Sequence, residues 1–386
     1  MSIFITFTPC GYVFNWQYPD TLFITMTAVP ATPRIGEVWQ HRIRELREYE
    51  VVRDGNVFSS NLFGSCLFSS EHEGAFRLLA DLLGQYQNQA FEDVFSGNVE
   101  ENDAGEHYVI RSRQHITQAR IDPEEFITTV WHDLTLVRGI GKVTERRLKA
   151  RGFTTIRDLA GHPRFKQAAK DVIHKLEEHS SAGIMDLIGS RHMRSHPMVL
   201  GAAGFHEPDD FVFVDIETLG LFSRPIILIG VGTLEANNLV VSQYLLRTVD
   251  EEPAALSAAL SHLSGNSPAL ITYNGKAFDL PYIQDRLAYY SMGVISDVPH
   301  FDCLHFARRK WRDRFSSLRL SSLERELFSV VRKDDVPGQM VPEFFETYLK
   351  TGNCGPLVPI VNHNRQDVVS LAMIFFHLIS ENYGNS

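Results

Sequence analysis

The chain has 386 residues, 44% of them hydrophobic and 22% charged, with a formal net charge of −10 at neutral pH. That length and apolar content imply a soluble globular protein of two or three domains with cores of their own. The acidic balance argues against a protein that coats nucleic acid through overall charge, leaving only local basic patches for that purpose. The apolar stretches SIFITFTP and TLFITMTAVPA near the start are broken by Pro and polar residues and lack a basic leader. They fall short of the ~20 residues a membrane span needs, so neither secretion nor a membrane anchor is expected. Cys10, Cys66, Cys303 and Cys354 lie far apart without a C-x-x-C pair, which suggests neither a zinc site nor a disulfide framework and fits a reducing cytoplasm.

Residues 1–83 carry helical patterns such as EVWQHRIRELREYEVV and GAFRLLADLLGQY, and no readable role. Residues 84–121 alternate like short strands around turn-formers, with Asp103–Ala104–Gly105 as a turn, and predict a small β module. At 122–125, DPEE offers Asp122 as N-cap and Pro123 at the first helical position, opening a helical unit over 122–180. Residues 181–209, rich in Ser, Gly and His, read as a linker.

From 210 to 386 the pattern predicts strands at 211–217, 226–232, 239–246 and 269–273, and helices at about 280–290, 304–312, 342–350 and 364–380. Strands in succession followed by strand–helix alternation indicate an α/β mixed sheet covered by helices. Within FVFVDIETLGL, Asp215 and Glu217 sit two apart on a strand and so project from one face. Two neighbouring acids there need a positive partner. ITYNGKAFDLPYI sets Asn274 and Asp279 directly after another buried strand, where active sites of open α/β sheets gather. VNHNRQDVVSLAMIFF puts His363 and Asp367 four apart on one helical face. Asp302, in HFDCLHFARR, is also a strand-end acid, read as a helix cap rather than a ligand.

The order D-x-E, N-G-x-x-F-D, H-x-x-x-D resembles the DEDD superfamily of 3′–5′ exonucleases on the ribonuclease H-like fold. More narrowly, KDDVPGQMVPEFFETYLKTGN followed by HNRQDVVSL resembles YprB-type ribonuclease H-like proteins. The likeness covers roughly 205–380, extends through 130–178 and is faint over 84–120. It implies that Asp215, Glu217, Asp279 and Asp367 are catalytic metal ligands for two Mg²⁺ or Mn²⁺ ions, which would hold an attacking water and stabilise the leaving oxygen of a phosphodiester. It implies His363 as general base, although this chain sets histidine at the four-residue spacing used by the superfamily's tyrosine branch. Leu219 would wedge against a terminal base, and Asn274 would touch substrate.

LVRGIGKVTERRLKARGF looks like a helix-hairpin-helix. Gly139 and Gly141 would let the backbone approach a phosphate, and Lys142, Thr144, Arg146 and Arg147 surround the helix N-terminus that would receive it. A second basic run, ARRKWRDRF, adds Arg308 and Arg309; its Trp311 could stack on a base or belong to the core. The expectation is a cytoplasmic metal-dependent nuclease, a 3′–5′ exonuclease acting on single-stranded DNA or 3′ ends, with RNA also open. A structure-recognising binding subunit and an endonuclease on the same fold are the alternatives. Its domains would be 1–83, 84–121, 122–180, 181–209 and 210–386.

Overall fold

The computed structural model describes residues 6–8, 11–13, 69–220, 224–295, 298–332 and 336–384. The helix expected at 37–52 lies outside them. Two short strands, β1 (Thr6–Thr8) and β2 (Gly11–Val13), pair with each other. The helix α1 (Ser69–Gln85) and the turn of helix α2 (Phe91–Val94) lead to β3 (Gly97–Asn102) and β4 (Gly105–His115), an antiparallel hairpin turning at the expected Asp103–Ala104. Next come α3 (Pro123–Trp131), α4 (Lys142–Lys149), α5 (Lys166–Glu177), α6 (Ser181–Gly189) and α7 (Pro197–Gly201). Asp122 caps α3 as its sequence predicts, its carboxylate accepting the Glu124 and Glu125 N–H groups.

The remaining strands are β5 (Phe211–Thr218), β6 (Ile226–Glu235), β7 (Asn238–Leu245), β8 (Ala269–Thr272) and β9 (His300–Asp302). They alternate with α8 (Glu252–Ser261), α9 (Asp279–Tyr289), α10 (Cys303–Trp311), α11 (Leu320–Phe328), α12 (Val341–Thr351) and the 27-residue α13 (Leu357–Tyr383). The seven-stranded sheet runs β3-β4-β7-β6-β5-β8-β9. Pairing is antiparallel from β3 to β5, and parallel between β5, β8 and β9. This is the expected α/β mixed sheet flanked by helices.

Two expected boundaries need correction. The 84–121 hairpin is not a separate module, because β4 pairs with β7 along eight residues and thereby widens the main sheet. Residues 181–209 are not a linker. Ile184, Leu187, Ile188, Val199 and Leu200 are buried and form one continuous core with Val130, Leu134 and Ile140 of the helical unit and with Phe213 and Phe375 of the sheet side. Their small and polar neighbours hide an apolar periodicity that burial makes decisive. On the opposite face of β5, Val212, Val214 and Ile216 pack with residues from α8, α9 and α12. No helix among the described residues is long and apolar enough to cross a membrane.

Candidate active site

Strand alternation puts Asp215 and Glu217 on the same face as Phe211 and Phe213, the face covered by α13. A register irregularity between Glu217 and Thr218 ends the regular pairing with β6 just beside the second acid. Above them, α13 presents Asn364, which is fully buried. Its amide donates to the Asp215 carbonyl at 3.1 Å and the Asp215 carboxylate at 2.8 Å, while its carbonyl accepts from Gln243 Nε2 at 3.0 Å. Gly230 on β6 makes room for this contact: a Cβ there would lie 2.3 Å from Asn364 Oδ1.

Asp279 opens α9 immediately after the turn that follows β8. Its carboxylate accepts the Ile216 backbone N–H, joining the helix start to the strand that carries Asp215 and Glu217. β8 pairs with β5 only up to Phe213, so Ile216 has an N–H free to donate on that side. Asp302 fulfils its expected structural role. It caps α10 through Leu304 N–H at 3.2 Å and also accepts the Asn274 and Lys276 N–H groups at 2.8 and 3.1 Å, which shapes the turn before Asp279.

One turn beyond the residue that holds Asp215, α13 supplies Asp367. His363 Nε2 lies 3.3 Å from Asp367 Oδ2 and 3.9 Å from Glu217 Oε1. Asp367 Oδ1 accepts from Arg332 Nη2. The same guanidinium donates to Glu324 on α11, with Nη2 3.0 Å from Oε2, and its Nη1 is 3.3 Å from His363 Nδ1. Arginine has no acceptor, so Nδ1 takes the hydrogen bond and Nε2 carries the imidazole hydrogen toward the carboxylates. Ser370, one turn further along α13, also donates to Glu324.

These contacts split the acids electrostatically. Burial pushes the Asp215 carboxyl well above its usual range, and Asp367, Asp279 and Glu217 push it further. Burial also lifts Asp279, to about 7, with Asp302 and Glu217 adding to the rise and the backbone donors opposing it. Asp367 is buried as well, yet His363 and Arg332 together hold it below the ordinary value. The strand-end acids are therefore within electrostatic reach of one another and short of positive charge, and their oxygen donors suit a hard divalent cation. Among the described residues, no three acidic, histidine or cysteine side chains yet converge into a ready-made metal site. Asn364 engages Asp215, and Arg332 and His363 engage both oxygens of Asp367.

The other expected residues fall in three places. Leu219 follows β5 and packs partly buried against the sheet core. Asn274 takes a left-handed conformation (φ 67°) in the turn before Asp279. In the segment read as a hairpin, Gly139 has φ 88°, Gly141 is open to solvent on its Cα side, and Lys142, Arg146 and Arg147 are exposed around the start and first turns of α4. Thr144 is half-buried. Arg191 braces the hairpin loop by donating to the Thr135 and Ile140 carbonyls at 2.9 and 3.2 Å. Trp311 is core, 1% exposed, with its indole N–H on Glu381. Burial and His192 depress His196, and the charges of Arg309 and Lys142 add to the effect. His305 is likewise lowered by burial, with Lys276 and Arg308 contributing.

The sequence pattern did not single out Asn364, Arg332 or Glu324. Asn364 stands three residues before Asp367 on the same helical face, a spacing that could have revealed it. Arg332 and Glu324 lie on a different segment from α13, and no local pattern announces such a pairing.

Comparison with known proteins agrees with the fold. Residues 212–379 match the RNase_H superfamily. Over 184 residues the chain is 33% identical to "Uncharacterized protein YprB" of Bacillus subtilis (strain 168), a match covering 46% of this chain and 44% of that protein. The chain thus spans less than half the length of that relative. The stretch from β5 into α13, which carries all four acids and His363, is thus the part of the chain that is similar to the RNase_H superfamily, in keeping with its RNase H-like mixed sheet.

Proposed function

We propose that the protein is a metal-dependent nuclease that hydrolyses phosphodiester bonds of nucleic acid, acting as a 3′–5′ exonuclease. One observation carries this reading: Asp215, Glu217, Asp279 and Asp367 come from three separate elements of an RNase H-like domain to within electrostatic range of one another. Nucleases of this superfamily generally work with divalent metal ions. Two Mg²⁺ or Mn²⁺ ions held by these acids would supply an activated water and charge neutralisation at the leaving oxygen.

The chain's own residues do the rest. Asn364 and the Ile216 N–H fix the directions of the Asp215 and Asp279 carboxylates. His363 stands beside Glu217 and Asp367 as the general base. That role needs the lone pair on Nε2, the tautomer reached when the contact between Arg332 and Nδ1 opens. Leu219, at the strand end, would wedge against a terminal base, and Asn274 would touch substrate. The exposed hairpin, with Lys142, Arg146 and Arg147, together with Arg308 and Arg309, would grip phosphates without reading sequence.

The test is incubation of end-labelled single-stranded DNA, duplex DNA and RNA with Mg²⁺ or Mn²⁺. Stepwise shortening from the 3′ end, abolished by Asp215→Asn with binding retained, is expected. Intact substrate in every case would overturn the nuclease reading. A mid-chain cut as first product would replace exonuclease with endonuclease.

A further inference from the structure

We propose that Arg332 is a cation built into the site: its guanidinium pairs with Asp367, and a second divalent ion is admitted there only by displacing it. The inference rests on the metal-dependent reading above and concerns the order in which that site loads.

Arg332 is not a passing surface residue. Its side chain is 10% exposed and is fastened at several points. Two of its nitrogens donate to Glu324, one of them also to Asp367, and the third faces His363 Nδ1. Glu324 is 1% exposed, and its other neighbour is the Ser370 hydroxyl. A buried carboxylate needs a partner, and Arg332 is the charged one that Glu324 has among the described residues. A planar fork that spans two carboxylates is a task for arginine rather than lysine.

The opposite end of the site is built differently. Asp215 meets a neutral amide and other carboxylates, and Asp279 meets backbone N–H groups; among the described residues neither is paired with lysine or arginine. The first ion therefore finds uncompensated oxygens at Asp215 and Asp279, while the second must take Asp367 from a guanidinium. Charge explains why Glu324 is present. Four site carboxylates balance two dications only if the arginine charge is cancelled elsewhere, and Glu324 lets Arg332 release Asp367 without losing its own partner.

Calorimetric titration of the full chain with Mn²⁺ alone, with bound Mn²⁺ counted by electron paramagnetic resonance, tests this. The wild type should take up ions in two steps, the second at least about tenfold weaker than the first. The volume-conserving pair Arg332→Met with Glu324→Gln should tighten the second step at least about tenfold and leave the first where it was. Arg332→Lys keeps Glu324 paired but cannot span both carboxylates. It should fall between, and it serves as the variant of record if the double substitution fails to unfold cooperatively. Two equal steps in the wild type, or a second step that is absent or unmoved in the variants, overturns the proposal and leaves the nuclease reading standing. No uptake of Mn²⁺ by any protein, even with nucleic acid present, overturns both.

Discussion

Asn364 donates one side-chain amide to both the carbonyl and the carboxylate of Asp215, at 3.1 and 2.8 Å, so a helix and the central strand are tied together at the first acid of the site. The tie exists because β6 has no side chain at Gly230. Gly230→Ala should overpack this point and lower stability by about 1–3 kcal/mol, read from urea unfolding. Asn364→Ala removes an orienting partner rather than a ligand, and should reduce cleavage or metal affinity by about 10–100-fold. Full activity in Asn364→Ala would show that Asp215 is held by something else.

The crowding of carboxylates around Asp215 predicts a trade between stability and activity. Asp215→Asn keeps an acceptor for Asn364 and removes one member of a repelling group. It should abolish cleavage while stabilising the metal-free protein by on the order of 1 kcal/mol, visible as a higher melting temperature in EDTA. A lower melting temperature would contradict the electrostatic picture.

His300 supplies a pH dependence away from the acids. Burial depresses it to about 3, with Lys276 and His305 adding to the effect, and its Nε2 shares a hydrogen bond with Thr272 Oγ1 at 2.8 Å. The folded protein keeps this ring neutral while the unfolded chain protonates it below about 6.5. Between those values the unfolded state binds the extra proton, so stability falls as pH drops through this window. The slope for one such proton is about 1.4 kcal/mol per pH unit. His300→Gln, which keeps a hydrogen-bonding group, should have a shallower acid limb in chemical unfolding between pH 6.5 and 4; superimposable profiles would assign the acid limb to other groups.

For His363, alanine and glutamine separate two roles. A general base contributes about 10²–10⁴-fold, and neither variant can accept the proton. Both should lose that much rate in single-turnover cleavage. Recovery in His363→Gln, which can still donate toward Asp367, would make the residue one that positions rather than reacts.

The hairpin prediction is electrostatic. Lys142→Glu combined with Arg146→Glu should weaken binding to all nucleic-acid sequences alike and reduce the salt slope by about 1 per lost phosphate contact. Fluorescence anisotropy across a salt series reads both quantities. A loss confined to some sequences would contradict backbone gripping.

Much of the fold was legible because its strongest signals are local. The runs at Phe211, Ile226, Leu239 and Ala269 are apolar enough to be buried strands wherever the chain goes, and all four are. Asp302 was readable as a cap because strand-end acid followed by helix is a short-range pattern. What escaped was long-range. Nothing near Gly105–His115 announces that its partner is β7, more than a hundred residues later, and nothing near Arg332 points to Asp367. The apolar positions of 181–209 were outvoted by Ser, Gly and His neighbours until burial distinguished them.

The pairing of β4 with β7 has one further consequence. The chain leaves the sheet at the end of β4, builds all of α3 to α7, and re-enters the same sheet at β5. The helices α3 to α7 are therefore stitched in at both ends, as an insert rather than a module on a leash. Swinging them away from the acids would mean parting Phe126 and Pro197 from Tyr383 of α13. Cutting the chain before residue 122 would uncover the β7 edge, leaving a row of unpaired backbone groups open to intermolecular pairing.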